Sequence, residues 1–170
     1  MNIIFNNLEL KTFTEQDVLD YCFLNNINPD KIEILDLRNN KLTDISGVKL
    51  FKNLRELYLW ENKLTDISVI QYLTKLKFLY LNINNITDIS VLKDLIKLET
   101  LCVNNNNIKD ISIIKNLTKL KTLSINNLEL KSDQIQYIKS LKNLKTLWCR
   151  KGFKNMSVLN TLNNNIYLMK

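Results

Sequence analysis

From Ile32 to Lys119 the chain consists of four consecutive blocks of 22 residues that align without a gap. They read "IEILDLRNNKLTDISGVKLFKN" (32–53), "LRELYLWENKLTDISVIQYLTK" (54–75), "LKFLYLNINNITDISVLKDLIK" (76–97) and "LETLCVNNNNIKDISIIKNLTK" (98–119). A fifth block, "LKTLSINNLELKSDQIQYIKSLKN" (120–143), has 24 residues. A sixth opens at Leu144 with "LKTLWCRKGF" and rejoins the pattern one residue early at "FKNMSVLNTL". Such a period is the mark of a solenoid, in which each unit contacts only its neighbours and none can bury its apolar face alone.

Within each block the stretch x-L-x-L-x alternates, so successive side chains point to opposite faces of an extended strand. Leu35 and Leu37 are then the inward pair of the first block, and Leu57, Leu79, Leu101, Leu123 and Leu147 point inward in those that follow. Stacking joins the strands into one parallel sheet and makes the core continuous. Asn40, Asn62, Asn84 and Asn106 recur where the chain leaves the strand, where an amide can satisfy loop backbone groups that lack a sheet partner. Asp44, Asp66, Asp88 and Asp110 each precede a serine by two residues (Ser46, Ser68, Ser90, Ser112). They read as turn and N-cap residues that open a short helical segment.

The pattern L-x-x-L-x-L-x-x-N-x-I/L-x-D-I-x-x-L-x-x-L runs over roughly residues 32 to 162. It resembles the leucine-rich repeat family, in the 22-residue class of bacterial internalins and eukaryotic phosphatase regulators. The resemblance implies an α/β solenoid: a right-handed horseshoe with a concave parallel sheet, short helical or 3-10 convex segments and a helical N-terminal cap. It also implies a non-enzymatic module that binds a protein partner through the concave surface. As a single domain, 1–170 divides into a cap (1–31), five repeats (32–143), and a degenerate repeat with a C-terminal cap (144–170). In the first cap, "FTEQDVLDYCFLNNINPD" places Val18, Leu19, Cys22 and Phe23 at helical spacing, with Thr14 as N-cap and Asn28-Pro29 as the stop. The terminal "NNNIYLMK" is a candidate closing strand. Leu128 stands at the asparagine position of the fifth block, and the sixth loses a residue near Lys151–Gly152. The asparagine ladder, and the regular curvature with it, should therefore fail before the C-terminus.

Three columns face out of the concave side. The third place of each block holds Ile34, Glu56, Phe78, Thr100, Thr122 and Thr146; the fifth holds Asp36, Tyr58, Tyr80, Cys102, Ser124 and Trp148. The seventh holds Arg38, Trp60, Asn82, Asn104, Asn126 and Arg150. Adjacent strands lie about 4.8 Å apart, so Tyr58 neighbours Tyr80, with Trp60 and Phe78 flanking them. Aromatic side chains bury roughly 150–250 Å² each in a contact, so together the four reach the largest apolar patches that monomers expose. Tyrosine, tryptophan and arginine are also the residues that dominate interface hot spots. The candidate partner-binding residues are thus Tyr58, Trp60, Phe78 and Tyr80, with Glu56 and Arg38 beside them. Trp148 and Arg150, three repeats on from Tyr80, mark a second contact. The competing reading has the aromatics cover their own sheet, aided by the cap folding inward. The small polar centre of the face is either a berth for a partner loop or plain solvated sheet.

Composition narrows the chemistry. With no histidine, Ser-His and Cys-His pairs and histidine metal sites are excluded. Two glycines cannot build a phosphate-cradling loop. Three widely separated cysteines, Cys22, Cys102 and Cys149, make neither a disulfide framework nor a zinc site. No enzyme activity, metal or cofactor is therefore expected. The formal charge is +7, and lysines recur at Lys75, Lys77, Lys97, Lys119, Lys121, Lys142 and Lys145. Solvation explains this stripe more simply than nucleic acid does. "MNIIFNNLELK" lacks a basic leader region and its apolar run stops after Phe5, so neither a signal peptide nor a membrane span is expected. An intracellular location follows as the expectation. The resemblance leaves two rivals, an internalin-like surface or secreted adhesin or effector, suggested by "LTDIS" and "ITDIS", and a phosphatase regulatory subunit. The aromatic patch leaves a homodimer open.

Overall fold

The computed structural model describes residues 1–162 and 167–169. Eight short strands form one parallel sheet in chain order. They are β1 (Asn2–Ile4), β2 (Ile34–Asp36), β3 (Glu56–Tyr58), β4 (Phe78–Tyr80), β5 (Thr100–Cys102), β6 (Thr122–Ser124), β7 (Thr146–Trp148) and β8 (Tyr167–Met169). Equivalent places of successive repeats stand in register, so Leu35, Leu57, Leu79, Leu101, Leu123 and Leu147 form one buried row. The block 54–75 illustrates the core: Leu54, Leu57, Leu59, Leu64, Ile67, Ile70 and Leu73 are each at most 2 % exposed. Burying one such side chain is worth about 1.5–3 kcal/mol.

The opposite layer is made of 3-10 segments at Ser46–Leu50, Ser68–Tyr72, Ser90–Asp94 and Ser112–Asn116. In the longer fifth block a 3-10 turn at Ser132–Gln134 runs into an α-helix, Ile135–Lys139. The two extra residues are thus taken up as helix on the convex side and leave the sheet undisturbed.

The asparagine column does the work expected of it. Asn62 donates from Nδ2 to the carbonyls of Leu37 and Leu59, both at 3.0 Å, and its Oδ1 accepts the N–H of Leu42 at 3.0 Å. Asn84 and Asn106 repeat the arrangement one and two blocks on. At the fifth block the ladder stops, and Leu128 is instead fully buried. The aspartates make turns but are not caps. Each accepts the N–H of the serine two residues on at 2.7 Å, while the N-cap position belongs to Ile45, Ile67, Ile89 and Ile111, which make no side-chain cap bond. The aspartate stands one residue before the N-cap position and reaches only the first N–H of the segment, that of the serine.

In the N-terminal cap, α1 (Glu15–Leu24) carries the expected Thr14, in a reciprocal capping box with Asp17. Three details differ from the sequence reading. Val18 and Cys22 are buried, but Leu19 is 49 % and Phe23 85 % exposed, because α1 lies against the Ser46–Leu50 segment along one narrow stripe only. The helix ends at Leu24, with Asn25 as C-cap and Asn26 left-handed (φ 52°), so Asn28 instead caps a separate 3-10 turn at Pro29–Lys31. The cap also supplies β1. Asn40 holds the loop after β1 as the other asparagines hold theirs, donating to the Phe5 carbonyl at 2.7 Å and accepting from Leu8 and Leu10.

Both glycines mark close approaches. A Cβ on Gly47 would collide with the Thr14 carbonyl and lie 2.7 Å from Val18 Cγ2, so α1 can dock here and not over Val69, Val91 or Ile113, the equivalents in later repeats. A Cβ on Gly152 would strike Cys149 Sγ, and this is where the sixth block loses its residue. The closing strand is present as β8, paired with β7; the rest of "NNNIYLMK" lies outside the described residues.

Candidate functional site

The aromatic patch is built by register. Because β3 and β4 pair Tyr58 with Tyr80, the two rings stack face to face, centroids 4.8 Å apart and 3° from parallel. Glu56, two places back on the same face, accepts the Tyr58 hydroxyl at 2.8 Å. Burial, then this bond and the carboxylate charge, push the Tyr58 phenol well above its ordinary ionisation range; burial raises Tyr80 as well. On the adjoining column Arg38 sits 5.3 Å from the centroid of the Trp60 ring, a cation–π contact. Arg38 Nε is held at 3.0 Å by Asp36 Oδ2, whose side chain is 9 % exposed. Phe78 lies between Glu56 and Thr100 in the third-place column and is half-buried.

Arg38, Glu56, Tyr58, Trp60, Phe78 and Tyr80 therefore occupy one continuous surface over β2, β3 and β4. The aromatics partly cover one another, since all four are half-buried. The N-terminal helix takes no part in that covering: it lies on the convex segment, with Glu15 Oε1 2.6 Å from Lys49 Nζ. Trp148 and Arg150 are not part of this cluster. Both are exposed, and β5 and β6 separate them from Tyr80.

Two residues absent from the sequence reading join the same face. Ile4 of β1 is paired with Asp36 and is 65 % exposed; Tyr167 of β8 is paired with Thr146 and is 69 % exposed. Their signal is the alternation in "NIIF" and in "IYLM" of the expected closing strand, which places Ile4 and Tyr167 on the outward side.

Between the aromatics and Trp148 the face is polar. Asn104 Oδ1 accepts the Ser124 hydroxyl at 2.7 Å and the Asn126 N–H at 2.7 Å, so these side chains brace their neighbours. Cys102 stands between Tyr80 and Ser124, its thiol pushed up to about 11 by burial and so protonated at neutral pH. Among the described residues no group of three or more Cys, Asp and Glu side chains is arranged to hold a metal.

The lysine stripe is weaker than its composition suggests. Glu99 binds Lys121 at 2.6 Å and Lys77 at 3.4 Å, with its carboxyl held below the usual range by the Lys121 hydrogen bond. Lys75 bonds Asn53 Oδ1. Elsewhere a cleft of about 620 Å³ opens between Lys49, Leu50, Lys52, Tyr72, Thr74 and Lys75. Its lysines do not converge, since Lys49 is turned to Glu15 and Lys75 to Asn53. No helix is long and apolar enough to cross a membrane among the described residues.

The family model described as Leucine Rich repeats (2 copies) matches residues 30–68, 52–94 and 96–135, more than half of the chain. Among solved structures the chain is similar to an internalin (inlF) of Listeria monocytogenes, with 31 % identity and a TM-score of 0.73 over 83 % of this chain and 42 % of that one. Internalin C2 of the same organism gives 26 % identity and 0.67, over 99 % of this chain and 79 % of that one. A Leptospira interrogans LRR protein shares the fold at 24 % identity and 0.72, over 98 % and 41 %. The chain thus spans less than half the length of the first and third of these proteins. No curated protein matches the sequence.

Proposed function

Because the chain belongs to the leucine-rich repeat family, whose members generally act as non-enzymatic interaction modules, we propose that it binds a protein partner on the concave face. The observation that carries this reading is the open cluster over β2 to β4. A regular solenoid needs only small polar residues there, yet Trp60, Phe78 and the Tyr58–Tyr80 stack are set on it and left half-exposed. The stack and the Arg38–Trp60 contact support binding as much as self-covering, because side chains already ordered lose little freedom when a partner docks. Arg38, Glu56, Tyr58, Trp60, Phe78 and Tyr80 form the principal contact, and Trp148 with Arg150 a second one further along the sheet.

The test is affinity capture of the wild type against a Tyr58→Ser, Trp60→Ser, Tyr80→Ser variant, after circular dichroism has established native folding and size exclusion the oligomeric state. A partner lost by the variant alone is the expected result. Equal capture by both proteins sinks the reading, and a variant that turns monomeric from a dimeric wild type makes a second copy the ligand.

The similarity to internalins favours a narrower second reading, a surface-exposed or secreted binding protein of that kind. Fractionation of native cells separates it from an intracellular module. Nothing comparable favours a phosphatase regulatory subunit.

A further inference from the structure

The seventh-place column, Arg38, Trp60, Asn82, Asn104, Asn126 and Arg150, is the row of the concave face on which every side chain carries an N–H donor and none is a carboxylate. The orientation of its three amides is fixed by the backbone. The Asn104 N–H donates to Asn82 Oδ1 at 3.3 Å, the Asn126 N–H to Asn104 Oδ1 at 2.7 Å, and the Arg150 N–H to Asn126 Oδ1 at 2.6 Å. A backbone N–H bonds only an acceptor, so each amide must turn its oxygen to the next strand and its NH2 group away. Among the described residues none of these three NH2 groups has a partner, and all three asparagines are half-exposed. The result is a row of free donors at strand spacing, about 4.8 Å. Cations stand at both ends: Arg38, shared with Asp36, and the exposed Arg150 with Lys151 beside it, neither of which has an ion pair among the described residues.

We infer that this row takes up an extended acidic segment of the protein partner, its carbonyl and carboxylate oxygens accepting from the amides and its acidic side chains meeting Arg150 and Lys151. The inference rests on the concave-face reading and names the partner's chemistry. An acidic polypeptide fits better than a nucleic acid strand. The cations of the row are too few for a backbone that bears a charge at every nucleotide. Amide donors suit a chain whose acceptors are mostly neutral carbonyls, punctuated by carboxylates.

The substitution Asn104→Asp isolates the effect. An aspartate keeps an oxygen for the Asn126 N–H and the Ser124 hydroxyl, and replaces the outward donor by an acceptor. Arg150→Gln removes the terminal cation, whose side chain makes no hydrogen bond or ion pair among the described residues. The probe is a short fluorescent peptide of alternating glutamate and serine, titrated by anisotropy into the full chain. A lysine–serine peptide and an oligothymidine strand of equal length serve as controls.

Glutamate-peptide binding that weakens about tenfold or more in each variant, and weakens with salt, is the expected result. Unchanged affinity in natively folded Asn104→Asp and Arg150→Gln overturns the inference; so does tighter binding of oligothymidine, or no glutamate-peptide binding at millimolar concentration. The captured partner separates the two levels of argument. If Tyr58→Ser, Trp60→Ser, Tyr80→Ser loses it while Asn104→Asp and Arg150→Gln keep it, the concave-face reading stands and the acidic row falls. If all three keep it, both fall.

Discussion

Ile83 is the residue that fits its backbone least. The eighth place of each repeat is left-handed: Asn39 has φ 53°, Glu61 56°, Ile83 55°, Asn105 52° and Asn127 59°. Asparagine tolerates this region, whereas a β-branched side chain collides with its own backbone there. Ile83 is also 44 % exposed, so packing returns little for the strain. Ile83→Asn is expected to raise unfolding stability by about 1 kcal/mol, read as a higher urea midpoint at unchanged slope. The strain was not visible in the sequence, where Glu61 and Ile83 interrupt the asparagines that would have announced a left-handed position. The ninth-place asparagines were legible because four identical residues stand at identical spacing, each with the same backbone groups to satisfy.

At the scale of the element, the junction between α1 and the first repeat depends on one missing side chain. Gly47 gives its N–H to the Phe13 carbonyl at 2.8 Å and has no room for a Cβ. Gly47→Val, which merely restores the residue that Val69 and Val91 supply elsewhere, is expected to cost about 1–3 kcal/mol by overpacking. Differential scanning calorimetry checks it, and Val69→Gly serves as the comparison where no helix is displaced. The N-cap of α1 was legible, since Thr14 stands just ahead of acidic residues and an apolar pair, whereas the return bond from Asp17 was not. Its exposed Leu19 and Phe23 were not, because helical spacing gives a stripe its direction but not its width. β1 did leave a trace. "NNLELK" occurs at 6–11 and again at 126–131 in the fifth repeat, and in both copies the second asparagine and the glutamate have positive φ. The cap therefore opens with half a repeat.

For the whole molecule, equal blocks fixed the strand register, and the register fixed which side chains share the concave face. The face was legible to that depth. Its contacts were not: the Tyr58–Tyr80 stack, Arg38 over Trp60 and the direction of the amide NH2 groups depend on rotamers and on backbone donors that no pattern of residue types records. The same burial that orders the face makes stability depend on pH. Cys102 and Cys149 are pushed up from 9.0 to about 11 and about 12, and Tyr58 and Tyr80 rise above 10.0. These groups stay protonated in the folded chain at pH values where the unfolded chain has released their protons. Stability is therefore fully present below the unfolded values and lost as pH rises through and beyond them. Thermal unfolding from neutral to strongly alkaline pH should give a flat midpoint up to about pH 9 and a steady fall beyond it. Tyr58→Phe should make that fall shallower.

The ladder of amides also sets an order of events. The turn after β2 is completed by Asn62, which bonds the N–H of Leu42 from 20 positions further along the chain, and Asn84 and Asn106 complete the two turns that follow from the same distance. On a ribosome, which releases the chain N-terminus first, each loop must wait for its successor to emerge before its last donors are satisfied. The nascent solenoid would thus carry one unfinished coil at its growing end, advancing a repeat at a time until Leu128, where a buried side chain takes over and the next coil closes without that help.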